Sequence, residues 1–450
     1  MRGKRSWQRL KLLLCRAGLI STLASLLLSL PAHQDSDQYA RDPEHKAELG
    51  VQEAEEVEEV VLKGLSLPEL PPPEFHQVSS RLYVVSAAVD LRPGNMGPVP
   101  ALRILAVAKK PLELEGLECE LGGERAPVTW YEAAENHRLP WRSGYLSAHF
   151  PSLPHLQAAQ ASNFSLQHPA RPALRLSVTA VLEVAENASR PLDYVLCVPF
   201  LFGRSYGPLH LIEWLEYQRL IGFQHIFIYA RAEVLALEVR RVLEHYATFV
   251  TILPLRLPFP EKSIWYHGQL VAIADCLLRA GAVAEFALFA DLDEFLVPRH
   301  SDSVQAALQG TPSTLPSPRE WEGRLAGLSP QSAVFLSADK RPAEQLASLS
   351  LTERLPALES LYSKVIVRPL MVFEMGIHHV SRVIRDDYLV RELDRKETAP
   401  IRLHHYKYAA WIGQRRLVND SSLPARFAPQ LHSAVARTIR ALPNISRFAS

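Results

Sequence analysis

Asp291, Asp293 and the adjoining Glu294 stand at the end of an apolar run, Glu285-Phe-Ala-Leu-Phe-Ala290. Three carboxylates this close repel each other unless a cation lies among them. Hard oxygen ligands suit Mn2+ or Mg2+, ions commonly shared with substrate phosphates. An Asp-x-Asp triplet alone is a weak signal, because it recurs by chance. Its place directly after a buried strand strengthens it, since ligands of open α/β sheets bind beyond the carboxyl ends of the strands. The alternatives are a solvated acidic turn and a structural calcium site, although EF-hand spacing is absent.

The elements that must position these acids begin near residue 193. Tyr194-Val-Leu-Cys-Val-Pro199 reads as a strand, and residues 209–221 as a helix closed by Gly222. Glu213 and Glu216 read as the solvent side of that helix, with Trp214 on its apolar shoulder. The strand His225-Ile-Phe-Ile-Tyr229, a helix over 234–247 and the strand Phe249-Val-Thr-Ile-Leu253 follow. A third helix is expected over 263–280, with Gly281 after it, before the strand that carries the acids. Alternation of this kind means a parallel sheet with crossover helices, and strands apolar throughout suit a sheet covered on both faces. Residues 76–190 are instead β-rich, with runs such as Leu102-Arg-Ile-Leu-Ala-Val-Ala108 and no long amphipathic helix.

The chain has 450 residues, more than one typical domain, and a net charge of +1, which gives no global field to hold nucleic acid. Arg2, Lys4, Arg5, Arg9, Lys11 and Arg16 precede an uncharged apolar segment over 17–32. It is short for a span of about 20 residues unless Lys11 and Arg16 snorkel. Bulky Leu30 makes a poor cleavage site, so the reading is an uncleaved anchor with a cytosolic tail over 1–16 and everything beyond in the lumen. An acidic and proline-rich stem spans 33–75. The β-rich module covers 76–190, the α/β domain 191–415 and a C-terminal extension 416–450. Asn163, Asn187, Asn419 and Asn444 each open an Asn-x-Ser glycosylation acceptor, which agrees with a lumenal location. Cys119, Cys197 and Cys276 lie beyond the anchor and allow one disulfide in three ways.

In this setting the Asp-x-Asp resembles that of a Golgi glycosyltransferase of the GT-A fold, and more closely the chain resembles glycosyltransferase family 92. The resemblance rests on Cys197-Val-Pro-Phe-Leu-Phe-Gly203, His210-Leu-Ile-Glu-Trp-Leu-Glu-Tyr-Gln-Arg-Leu-Ile-Gly222, Tyr266-His-Gly-Gln269 and Asp291-Leu-Asp-Glu-Phe-Leu296. It continues through Lys364-Val-Ile-Val-Arg-Pro369, His378-His379 and His404-His-Tyr406. It implies a Rossmann-like, mostly parallel α/β GT-A domain, UDP-galactose as donor, manganese, a glycan acceptor on glycoprotein or glycolipid, and a type II Golgi membrane protein. UDP-glucose or a UDP-N-acetylhexosamine are alternative donors. The rival class is a catalytically inactive lumenal protein of the same fold that binds glycans or partner proteins.

Nucleotide-sugar transfer assigns roles by need. The diphosphate leaving group gains negative charge, which a divalent cation stabilises. Asp293 is the principal metal ligand on this reading, Asp291 contacts the ribose or reaches the metal, and the resemblance points to a histidine, His404 or His405, as a third ligand, with His405 the choice. Lys364 or Lys407 would hold the diphosphate as a point charge. His267 and Gln269, at the start of a helix, are candidates for donor contact. Inversion needs a base within reach of the acceptor hydroxyl, and Glu374, Asp339 and Glu294 are the candidates.

Overall fold

The computed structural model describes residues 70–442, apart from 113, 152–161, 169–170, 185–189, 202–206, 232–234, 310–322, 338–344, 397 and 409–415. The expected anchor, most of the stem, Asp339, Asn187 and Asn444 therefore lie outside the described residues. Among those described, no helix is long and apolar enough to cross a membrane. The described residues form one compact unit.

At its centre is a seven-stranded sheet. Its order is Val250–Pro254, His225–Ala230, Leu192–Leu201, Ala284–Phe289, Ile366–Val367, Leu325–Ser329 and Leu389–Glu392. The first four strands are parallel. Ile366–Val367 runs against both of its neighbours, so the last two strands return to the common direction. The sheet is thus mixed and mostly parallel, with crossover helices, as the residue pattern predicts. Strand His225–Ala230 is buried at every position, which is why it reads as a continuous apolar run.

A second, five-stranded sheet holds Glu294–Pro298, Ile401–Tyr408, Gln331–Ser337, Glu353–Glu359 and Val418–Asn419 in that order. The β-rich module is a separate pair of sheets. One contains Leu82–Asp90, Ala101–Lys109 and Trp141–His149, and the other Glu118–Leu121, Asn163–His168 and Arg171–Ser177. The Asn163 and Asn419 side chains are both exposed.

Helix Gln269–Val283 lies between the central sheet and the module, and 13 of its 15 residues are buried. A helix covered on both sides carries no polar stripe, so periodicity marks it poorly. Gly281 is not its cap but an interior residue: a Cβ there would come within 2.8 Å of Leu182 Cδ2 in the module. Cys276 of this helix is joined to Cys197 of the first parallel strand, 79 residues away in sequence, which leaves Cys119 a buried free thiol. Closing a loop that long stabilises by on the order of 4 kcal/mol on a chain-entropy account.

Three other boundaries correct the sequence reading. The helix expected from 263 starts at Gln269, because Tyr266, His267 and Gly268 all have positive φ. Glu213 and Glu216 are buried, not solvent-facing. Glu213 accepts from the Ala347 and Ser348 amides, and Glu216 from the hydroxyls of Tyr246 and Thr438. Helix Ser422–Ala441, in the segment read as an extension, packs on helix Pro208–Leu220 and so belongs to the body of the domain. The end of the stem is also ordered: Arg279 donates to the carbonyls of Leu70 and Pro71.

Candidate active site

The acidic turn sits where the chain passes from one sheet to the other. Strand Ala284–Phe289 carries it to the carboxyl edge, and Glu294 opens the strand of the second sheet. Glu294 closes the turn twice. Its amide donates to Asp291 O at 3.0 Å, and its Oε2 accepts from the Asp291 amide at 2.8 Å. The antiparallel register then puts His405 opposite Glu294, while the Tyr406 amide donates to Asp293 O at 2.8 Å.

Helix Pro208–Leu220 fixes the same segment from beneath. His210 Nε2 lies 2.9 Å from Leu292 O, Trp214 Nε1 donates to Glu294 O at 3.0 Å, and Tyr217 Oη to Leu296 O at 3.0 Å. Residues i, i+4 and i+7 share one helix face, and alternate carbonyls share one side of a strand. Sequence reasoning treated Trp214 as packing alone. The signal available was three ring donors, His, Trp and Tyr, at helical spacing.

Lys364 lies two residues before Ile366–Val367, the antiparallel strand of the central sheet. Its side chain is 1% exposed, and Nζ lies 3.0 Å from Asp291 Oδ2 and 3.4 Å from Glu294 Oε2. Burial works to lower the lysine's pKa, but the two carboxylates overrule it and hold the ammonium charged. Burial pushes the Glu294 carboxyl up to about 7 against the pull of Lys364. Part of the cation that three clustered acids require is therefore the protein's own. In the structure Lys364 pairs with Asp291 and Glu294. Lys407 is exposed and stands over the Tyr362 ring.

Asp293 Oδ2 and His405 Nε2 face each other at 3.5 Å, both partly accessible, with Glu294 Oε1 3.6 Å behind His405 Nδ1. Those last two atoms are buried without a hydrogen-bond partner. Among the described residues no group of three or more His, Cys, Asp or Glu could hold a metal ion. Asp293 and His405 are the residues that would hold a divalent cation here, and Glu294 would then stand behind the imidazole. Asp291 does not join this pair in the structure; it is the acceptor of Lys364.

The proposed bases fare differently. The Glu294 side chain is fully buried and beyond reach of an acceptor hydroxyl. Glu374 is buried, and its two oxygens accept from Tyr131 Oη and the Ala134 amide of the β-rich module. Burial raises its pKa, but with both oxygens engaged it is an anchor between domains, which corrects its expected role as base. His378, given no role from sequence, lies close enough to Lys364 and His405 to feel their charge. Burial and that charge lower its pKa to about 3, so the ring is neutral.

His267 and Gln269 form a second group, on the segment that leaves the carboxyl end of Val250–Pro254 and starts the crossover helix. His267 Nδ1 is 3.3 Å from Glu261 Oε2, and Arg231 pairs with the same carboxylate. Gln269 is buried at the helix start with Oε1 unpartnered. Both groups therefore open on the same edge of the sheet.

The arrangement can be set beside known proteins. Residues 193–444 match the model of glycosyltransferase family 92. The β-1,4-galactosyltransferase galt-1 of Caenorhabditis elegans is 27% identical over 441 residues, covering 94% of this chain and 95% of that protein. The galactan β-1,4-galactosyltransferase GALS3 of Arabidopsis thaliana is 25% identical over 260 residues, and this chain spans about half its length, 48%. A solved structure of S. aureus TarS 1–349 in complex with UDP-GlcNAc superposes with a TM-score of 0.26 at 13% identity, over 50% of this chain and 60% of that one.

Proposed function

The chain belongs to glycosyltransferase family 92, and from that premise we propose that it transfers galactose from UDP-galactose to a hydroxyl of a glycan acceptor, with inversion. The carrying observation is the Asp293–His405 pair at the carboxyl edge of the sheet, with Asp293 partly open and with Lys364 pairing the neighbouring Asp291 and Glu294. The name of the near full-length relative galt-1 supports galactose as the sugar. A bound Mn2+ or Mg2+ would be held by Asp293 and His405 and would stabilise charge on the departing diphosphate. The residues present do the positioning: Glu294 and Lys364 fix the turn, and the His210–Trp214–Tyr217 face fixes the strand that follows. His267 and Gln269 line the donor side. Asp339 is the remaining base candidate of the three.

The location proposed is the Golgi lumen, behind a type II anchor. The Cys197–Cys276 disulfide supports it, since such bonds persist in oxidising compartments. The exposed acceptors Asn163 and Asn419 support it as well.

The test is UDP release by the purified chain from UDP-galactose, UDP-glucose and UDP-N-acetylhexosamines, with manganese or with chelator, beside Asp293→Ala. Manganese-dependent release from UDP-galactose, reduced at least about 100-fold in the variant, is expected. Undiminished release by a folded Asp293→Ala protein would sink the site assignment. Tight UDP binding without turnover on any acceptor would favour the binding-protein reading.

A further inference from the structure

The β-rich module lies outside the segment that matches the family model, yet one of its loops reaches the turn beside the acidic cluster. This loop, residues 133–140, joins strands Thr129–Glu132 and Trp141–His149. Buried Asn136 pins it, donating to the carbonyls of Ala133 and Ser143 and accepting from the Ser143 amide. The loop grips two segments of the catalytic domain. On one side His137 stacks on Trp265, with ring centroids 3.7 Å apart. On the other, Ala134 donates to Glu374, Glu135 Oε2 accepts from the Ile377 amide at 2.9 Å, and Glu135 Oε1 lies 3.4 Å from His379 Nδ1.

The first grip falls on unusual backbone. Among the described residues, the non-glycine residues with positive φ are His137 and Arg138 in the loop and Tyr266 and His267 just beyond Trp265. Strain of that kind persists where the surroundings enforce it, and it gathers at functional sites. At Gly376 a Cβ would come within 2.9 Å of Glu135 Cδ, so the carboxylate approaches as closely as a glycine permits.

The turn that Glu135 holds leads directly to the acids. His378 follows Ile377, its Nδ1 lies 3.2 Å from Ser363 O, and Ser363 precedes Lys364, the partner of Asp291 and Glu294. We propose that Glu135 is a positioning residue of the transfer reaction, supplied by the β-rich module: it fixes the 376–379 turn and, through His378, the setting of Lys364 and the acidic turn. The module is then part of the reaction apparatus rather than a spacer. The inference rests on the reading that Asp293 and His405 mark the transfer site.

The test uses the full chain in detergent, with UDP-galactose and manganese, and measures kcat, KM, UDP affinity and thermal midpoint. Glu135→Ala should lower kcat about tenfold, in the range that small misplacements produce, while UDP affinity and midpoint stay near wild type. Glu135→Gln should recover turnover to within about twofold, because its carbonyl oxygen still accepts from the Ile377 amide. Gly376→Ala, which displaces the carboxylate without removing it, should reproduce the loss and carries the test if Glu135→Ala does not fold. Since Glu135 acts through His378, the Glu135→Ala/His378→Ala double variant should be no slower than the worse single one. Wild-type turnover in folded Glu135→Ala, or additive losses in the double variant, would overturn the proposal while an inactive Asp293→Ala left the site reading standing. A fully active Asp293→Ala would overturn both.

Discussion

Asp90 and Asp291 are both aspartates at strand ends, and each accepts from a buried cation, but their surroundings differ in balance. Around Asp90 there are two arginines for one acid. Arg92 donates from Nε and Nη2 to the two carboxylate oxygens, and Arg103 Nε adds a third contact at 3.3 Å. Remaining donors go to the carbonyls of Pro369, Leu370, Val372 and Met96. Burial works to raise the carboxyl's pKa, but the arginines overcome it and hold the acid charged. Around Asp291 the ratio is inverted: Asp291, Asp293 and Glu294 share one lysine and His405, and Glu294 Oε1 and His405 Nδ1 are left without hydrogen bonds. A cluster in which two arginines match one acid is a clamp, here tying the module to the catalytic domain. A cluster with acids in excess has room for a further cation and is the kind of place where function concentrates.

The largest effect that would test this contrast is at the clamp. Arg92→Ala strands a buried carboxylate on one arginine and leaves three carbonyls without their donor. It should cost about 3–5 kcal/mol in denaturant unfolding. A loss below about 1 kcal/mol would show that the cluster is not closed by Arg92, and the contrast with the acidic turn would fail.

Next in size is Lys364→Met, which removes the cation from the acid-rich cluster. The cost should be on the order of 2–3 kcal/mol near pH 8 and should shrink toward pH 5. The sign follows from Glu294. Burial raises its folded pKa above the unfolded 4.5, so the folded state holds the extra proton, and stability present at low pH is lost as pH rises through about 7. Without Lys364 the ionised form is costlier still. Urea melts of both proteins at pH 5 and pH 8 measure this, and a deficit that does not change with pH would mean that Glu294 is not a member of the cluster.

The contrast also explains what could be read from sequence. The parallel strands were legible because a strand covered on both faces has to be apolar throughout, and the acids stood out against that background. The Asp293–His405 pair was half legible: Asp293 follows from the strand end, but His405 joins it only through the register that sets it opposite Glu294. Lys364 was singled out, but nothing local says that it will meet Asp291. Glu213, Glu216 and Glu374 were misread for a common reason. A carboxylate reads as solvent-facing or reactive unless its donors are known, and these donors come from residues 347–348, 246 and 438, and 131 and 134. The start of helix Gln269–Val283 was missed because the left-handed run at 266–268 involves Tyr and His, which carry no turn signature.

A third effect separates closed from open clusters by acid. Burial lowers His225 to about 4 and His378 and His404 to about 3, from an ordinary 6.5. Each ring is neutral when folded and takes up a proton on unfolding. The stability it contributes is complete above pH 6.5 and drains away as pH falls toward the folded values, at up to about 1.4 kcal/mol per pH unit for each group. His404 packs at a tilt against Phe335 beside Asp420, a second acid held by two arginines, Arg354 and Arg402, whereas His378 borders the acid-rich turn. Replacing His404 with Phe should therefore take about one proton out of the pH slope of unfolding between 6.5 and 4 and leave kcat per folded molecule unchanged. His378→Ala should reduce both the slope and kcat. If His404→Phe slowed turnover as much as His378→Ala, proximity to the open cluster would not be what distinguishes the two rings.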